Sequence, residues 1–137
     1  MSKEVLSKSF EAGMNFEEFL KKTEEFVAHT DATNLSEDDL FIYNYTKLNL
    51  QRMRRVLKTH GVEEQLAAKI KAIDKKQNWM IITENWCGDS AQSSPEFYKM
   101  SQLNSNIDLR IVERDTFPEV MDMYLTDGKK SIPIIVA

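Results

Sequence analysis

Trp79-Met80-Ile81-Ile82-Thr83-Glu84-Asn85-Trp86-Cys87-Gly88-Asp89-Ser90 is the stretch on which the reading of this chain turns. Its first five residues form a short, nearly continuous apolar run, as expected of a strand buried on both faces. A helical stretch to about Ser101 follows, so Cys87 lies where a buried strand gives way to a helix. Downstream, Ile107-Asp108-Leu109-Arg110-Ile111-Val112 alternates and reads as a second strand. Phe117 to Leu125 reads as a short helix entered through Pro118 near its first turn. Asp127-Gly128 is a turn, and Ser131-Ile132-Pro133-Ile134-Ile135-Val136 is a third strand entered through a proline. Strand, helix, strand, helix, strand is an α/β order.

Upstream of about Gln77 the pattern is helical. Phe16, Phe19, Leu20, Phe26 and Val27 fall at helical spacings, with Asn15 and Glu18 placed to form a capping box at the start. A turn over His29–Asn34 separates this helix from a second, opened by Ser36 with Asp39 and running to about Thr59. The apolar positions of the second helix include Leu40, Phe41, Tyr45, Leu48 and Val56, and Gly61 is placed to end it. A third helix carries Val62, Leu66, Ala67, Ile70 and Ile73 on one side. The chain thus divides into a helical N-terminal extension over residues 1–76 and an α/β core over residues 77–137.

A chain of 137 residues can bury a core without covalent staples. Eighteen basic and twenty-two acidic residues leave a formal charge of −4, which gives no general pull toward nucleic acid or anionic membrane. The single cysteine excludes an internal disulfide and suits a reducing compartment. With no apolar run of signal-peptide character at the N-terminus, the expected location is cytoplasmic, with no membrane partner. His29 and His60 lie at helix ends without cysteine or histidine at ligand spacing, so no metal is expected; His60 suits the helix dipole instead. The basic stretch Lys47, Arg52, Arg54, Arg55 and Lys58 reads as a solvated helix face. Met53, Met80, Met100, Met121 and Met123 suit core filling.

Cys87 is the residue with chemical potential. Backbone N–H groups and the dipole at a helix start favour negative charge, and the thiolate is the attacking form of a cysteine. Asp89 is placed to cap the helix, with Gln92 completing a capping box. Its carboxylate acts the other way on a nearby thiolate, and the balance depends on where it points. A lone buried cysteine can equally be an inert apolar residue.

Trp86-Cys87-Gly88-Asp89-Ser90 resembles the active-site segment of the thioredoxins, which read Trp-Cys-Gly-Pro-Cys. Pro95, eight residues after the cysteine, stands where that family places the proline that kinks its helix. Pro133, forty-six residues after it, is close to the family's spacing to a cis-proline beside the active-site sulfur. The run from Ile82 through Gln92, together with Tyr45-Thr46-Lys47-Leu48-Asn49-Leu50-Gln51-Arg52-Met53, is similar to a bacterial subgroup of thioredoxin-like proteins with a helical N-terminal extension. The resemblance implies a mixed sheet flanked by helices. It implies Cys87 as the catalytic residue, with Trp86, Gly88, Ser90, Ile132 and Pro133 shaping a substrate groove and no cofactor. Relative to that family, the last strand and helix are missing. The expectation is therefore a fragment, or a homodimer formed through the exposed apolar edge at Ile134-Ile135-Val136.

Two departures bear on activity. Ser90 stands in place of the resolving cysteine, and a hydroxyl cannot break a mixed disulfide. Ile81 stands in place of the family's buried acid; Glu84 is the nearest carboxyl, and the side it takes decides whether it can serve. Two functions follow. One is a thiol–disulfide oxidoreductase using a single cysteine, its partner a protein or glutathione disulfide. The other is a redox-inactive binding module that recognises an extended peptide or a protein partner.

Overall fold

The computed structural model describes residues 2–137. Four α-helices precede the first strand: α1 (Ser2–Ala12), α2 (Phe16–His29), α3 (Glu37–Thr59) and α4 (Glu64–Lys71). Then follow β1 (Gln77–Thr83), α5 (Gly88–Ser101), β2 (Ile107–Glu113), α6 (Pro118–Asp122) and β3 (Ile134–Val136). The sheet is mixed, in the order β2-β1-β3, with β1 parallel to β2 and antiparallel to β3. Where sequence suggests three helices before β1, there are four. α1 is separate because its apolar side chains, Val5, Leu6 and Phe10, pack on the opposite face of the sheet from α2.

β1 holds the two faces together. Its alternation sends Ile81 to one side, into a cluster with Phe16, Phe19, Met53, Ala91, Leu109 and Ile111. Met80 and Ile82 go to the other side, with Val112, Val120 and Met121. The first face is covered by α2, α3 and α5, the second by α1 and α6. The chain crosses between faces at Gly13-Met14. There Met14 exchanges two backbone hydrogen bonds with Ile111, 2.9 and 2.6 Å, on the outer edge of β2. A Cβ at Gly13 would come within 3.1 Å of the Ile111 carbonyl oxygen, so this approach is tight for any residue larger than glycine. Among the described residues, the outer edge of β3 has no partner strand.

The local signals act where their chemistry places them. Asn15 and Glu18 form the complete capping box of α2, and the Ser36 side chain accepts from the Asp39 amide at the start of α3. Other expectations are corrected. α3 ends at His60 in extended conformation with its N–H on the Val56 carbonyl, so Gly61 has no capping role. α6 stops at Asp122 and β3 begins only at Ile134. Met123 is exposed rather than in the core, as are Leu40, Phe41, Tyr45 and Leu48 on α3.

Ile81 is fully buried in the central strand. Ile81→Ala is expected to cost about 2–5 kcal/mol by urea unfolding, from lost transfer energy plus the cavity left behind. Leu66→Ala, at an exposed position in the first turn of α4, is expected to cost far less than Ile81→Ala by the same measurement.

Candidate functional site

Cys87 is the N-cap residue of α5, in extended conformation, held by its own N–H to the Glu84 carbonyl at 3.2 Å. Its carbonyl accepts from Ala91 at 3.2 Å and so starts the helix. Asp89 therefore lies within the first turn of the helix, two residues past the cap, and no side chain caps this end. The amides of the first turn are left without a side-chain acceptor, beside the only sulfhydryl of the chain.

The Cys87 side chain is 9% exposed, at the bottom of a groove of about 560 Å³. Its Sγ lies 3.6 Å from the carbonyl oxygen of Ile132, and the Ile132–Pro133 peptide is cis. Trp86, Gly88 and Ile132 line this groove with the cysteine. Pro133 is half-buried behind Ile132 in sequence and does not line it. Ser90 does not line it either: it is buried, and its Oγ lies 2.7 Å from Ser94 Oγ within the helix. Of the six residues that sequence singles out, four thus share one opening and two stand behind it.

Three neighbours were not singled out by sequence. Asn49, fully buried on α3, donates from Nδ2 to the Asn85 carbonyl at 3.1 Å and so ties the helix to the loop before the cysteine. Arg52, one turn on, bonds Asn49 Oδ1 at 3.0 Å. A Cβ at Gly88 would meet its Nη1 at 3.1 Å, which places this guanidinium against the start of α5. Arg52 therefore lies beside the start of α5, unlike Arg54, which pairs with Glu24 on the surface at 3.4 Å. The third neighbour is Arg114, at the end of β2. It lies 4.9 Å from the Trp86 ring centroid, bonds the Asp115 carboxylate at 3.0 and 3.4 Å, and donates to the Lys130 carbonyl at 3.1 Å. The spacing of Asn49 and Arg52 on one helix face was the available signal; Arg114 had none.

Glu84 is half-buried, and its Oε2 is sealed from solvent without a hydrogen-bond partner. Burial pushes its carboxyl up to about 7, and the charges of Glu113 and Asp115 add to the effect. Glu84 thus faces the acidic turn after β2. His60, at the C-cap of α3, has Nδ1 2.9 Å from Glu96 Oε1 on α5. Among the described residues no group of three or more His, Cys, Asp or Glu could hold a metal, and no helix is long and apolar enough to cross a membrane.

A family model described as Thioredoxin (Thioredoxin_9) matches residues 34–137. The chain belongs to this thioredoxin-like family. The match begins before α3, so it takes in the helix that supplies Asn49 and Arg52 as well as the sheet. In fold the chain is similar to a protein of unknown function, PA1234, from Pseudomonas aeruginosa. Identity is 19% and the TM-score 0.59, over 94% of this chain and 66% of that one. It is also similar to an HIV epitope-scaffold, at 20% identity and a TM-score of 0.62, over 94% of this chain and 67% of the other. The chain therefore spans about two thirds of the length of these structures. At such identities the likeness concerns the fold alone. No curated protein matches the chain.

The raised Glu84 carboxyl makes stability pH-dependent. Between its ordinary value of 4.5 and its folded value of about 7, the unfolded chain ionises Glu84 while the folded chain keeps the proton. Its contribution is present below 4.5 and is lost as the pH rises through about 7. Glu84→Gln carries no such titration. Relative to that variant, the parent is expected to lose about 1–2 kcal/mol between pH 4.5 and 8, allowing for solvent screening of a half-exposed group. Urea unfolding of both proteins across that range checks this; parallel profiles would contradict it.

Proposed function

We propose that this thioredoxin-like protein performs thiol–disulfide exchange through the single thiol of Cys87. The observation that carries this reading is the placement of the sulfur: in a groove, at an uncapped helix start, 3.6 Å from the Ile132 carbonyl oxygen. Amides without a side-chain acceptor and the guanidinium of Arg52 beside Gly88 favour negative charge at that end of α5.

In the proposed reaction, the Cys87 thiolate attacks one sulfur of a disulfide on a protein or on glutathione. A bond forms between Cys87 Sγ and that sulfur, the original S–S bond breaks, and the other half leaves as a thiolate that takes a proton from water. No second cysteine exists to resolve the adduct, so a thiol from solution attacks it, releases Cys87 as thiolate and carries the bound half away as a new disulfide. No cofactor takes part, since both electrons and both bonds are accounted for by sulfur. Trp86 and Ile132 form the walls against which the disulfide lies.

A second reading is favoured by Ser90, whose hydroxyl is engaged with Ser94 and faces away from the groove. In that reading the groove binds an extended peptide and Cys87 does no chemistry, so Cys87→Ser leaves partner binding unchanged.

Incubation of the reduced protein with oxidised glutathione separates the two. Mass spectrometry is expected to show one glutathione per chain, on the peptide containing Cys87, removed by excess reduced glutathione and absent from Cys87→Ser. A native protein that stays unmodified over hours would sink the redox proposal.

A further inference from the structure

The N-terminal half of α3 breaks the usual rule for a helix of a globular domain. None of its residues from Glu37 to Tyr45 is buried, although this segment carries Leu40, Phe41, Ile42, Tyr43 and Tyr45. The buried positions of α3 begin at Thr46 and continue through Asn49, Leu50, Met53 and Val56. The first turns therefore extend past the part of the helix that packs on the core. Phe41 is 63% exposed and Tyr45 42%, and their rings lie against each other at 4.6 Å between centroids. A solvated helix face is ordinarily charged, and an exposed apolar cluster of this kind marks a contact surface.

Its position says what it contacts. Phe41, Ile42 and Tyr45 line the same groove as Cys87. The rest of the lining comes from Trp86, Gly88 and Asp89, and from Arg114 with the segment Lys130–Ile132. Any molecule whose disulfide reaches Cys87 Sγ enters a groove with an aromatic wall from α3 and a basic wall from Arg114 and Lys130. Arg114 is already bonded to Asp115, whereas among the described residues no carboxylate pairs with Lys130.

We propose that α3 forms a specificity wall for Cys87, and that the partner is an extended polypeptide with large apolar side chains beside its disulfide-bonded cysteine and an acidic one further along. This rests on the thiol–disulfide reading and names its substrate class: a protein disulfide of apolar surroundings in preference to glutathione. The apolar side chains lie against Phe41, Ile42 and Tyr45, and the acidic one meets Lys130. The covalent step is the exchange described above. The Asn49–Asn85 hydrogen bond fixes α3 relative to the cysteine loop, so wall and sulfur keep their spacing.

Two symmetrical peptide disulfides test this on the full chain. One carries Phe and Leu on both sides of its cysteine, the other Gly at those places, and both have the same acidic ends. The rate of adduct formation at Cys87 is read by mass spectrometry for each. The parent protein is expected to favour the apolar peptide by about tenfold, the worth of partly burying one or two large apolar side chains. In Phe41→Ser/Tyr45→Ser that ratio is expected to fall toward one, and replacing the acidic ends by Lys is expected to slow the parent severalfold. Both substituted side chains are exposed, and a thermal melt verifies that the variant is folded. Equal rates for the two peptides in the parent would overturn the α3 wall and leave single-thiol exchange standing. Absence of any adduct, with glutathione as well, would overturn both. A ratio near one together with a dimer in sedimentation that Phe41→Ser disperses would assign the surface to a second copy of the chain and overturn the proposal.

Discussion

A strand buried on both faces organises this molecule. Ile81 and its neighbours Met80 and Ile82 point in opposite directions from β1, and none of the three retains more than slight contact with solvent. Each face must then be covered by separate elements, and the chain supplies them by crossing sides at Gly13-Met14. The same constraint places Cys87. β1 runs between β2 and β3, so its end is anchored laterally by both neighbours, through Thr83 opposite Glu113 and Ile82 opposite Ile134. Four residues later the chain has turned and begun α5 at Cys87. The sulfur is thus positioned by the core itself, and the Ile132 carbonyl is brought to it by the segment that leads into β3.

That part of the architecture was legible. A five-residue apolar run cannot be satisfied on one face only, and the strand–cysteine–helix order follows directly from it. The capping box at Asn15 was equally legible, because its chemistry is complete within four residues. What could not be read depended on contacts between distant segments. α1 carries a mixed pattern whose meaning comes only from the far face of the sheet, where Val5, Leu6 and Phe10 meet the β1–α6 cluster. The apolar positions of α3 have helical spacing throughout, yet periodicity does not reveal how far along its length a helix keeps a neighbour. Asp89 carries a strong capping signal, but the turn closed by Cys87 N–H and the Glu84 carbonyl starts the helix earlier, so the side chain best suited to cap is already inside it.

Arg52 shows the same limit at the site. In sequence it is one of five cations in the basic stretch Lys47–Lys58 of an acidic protein, and the economical reading is a solvated face. Its neighbour Asn49 changes that. A fully buried amide must find partners, and Asn49 finds the Asn85 carbonyl on one side and the Arg52 guanidinium on the other. The pair links α3 to the cysteine loop through polar bonds in an otherwise apolar contact.

The position six residues before the cysteine settles how protons can be handled. Ile81 fills it and packs wholly within the core, so no carboxyl reaches the sulfur from inside the sheet. Glu84 is no copy of such an acid. It is raised first by its own burial and then by Glu113 and Asp115, and the one cation of that turn, Arg114, has its guanidinium bonded to Asp115. Glu113 is itself drawn to Lys22 at 2.7 Å. The carboxyl is raised chiefly by burial, and Arg114 offsets that only in part. Its connection to the groove runs through Arg114, which also lies over Trp86. Glu84 therefore faces the turn after β2, whereas the first amides of α5 and the Arg52 guanidinium lie at the cysteine end of that helix.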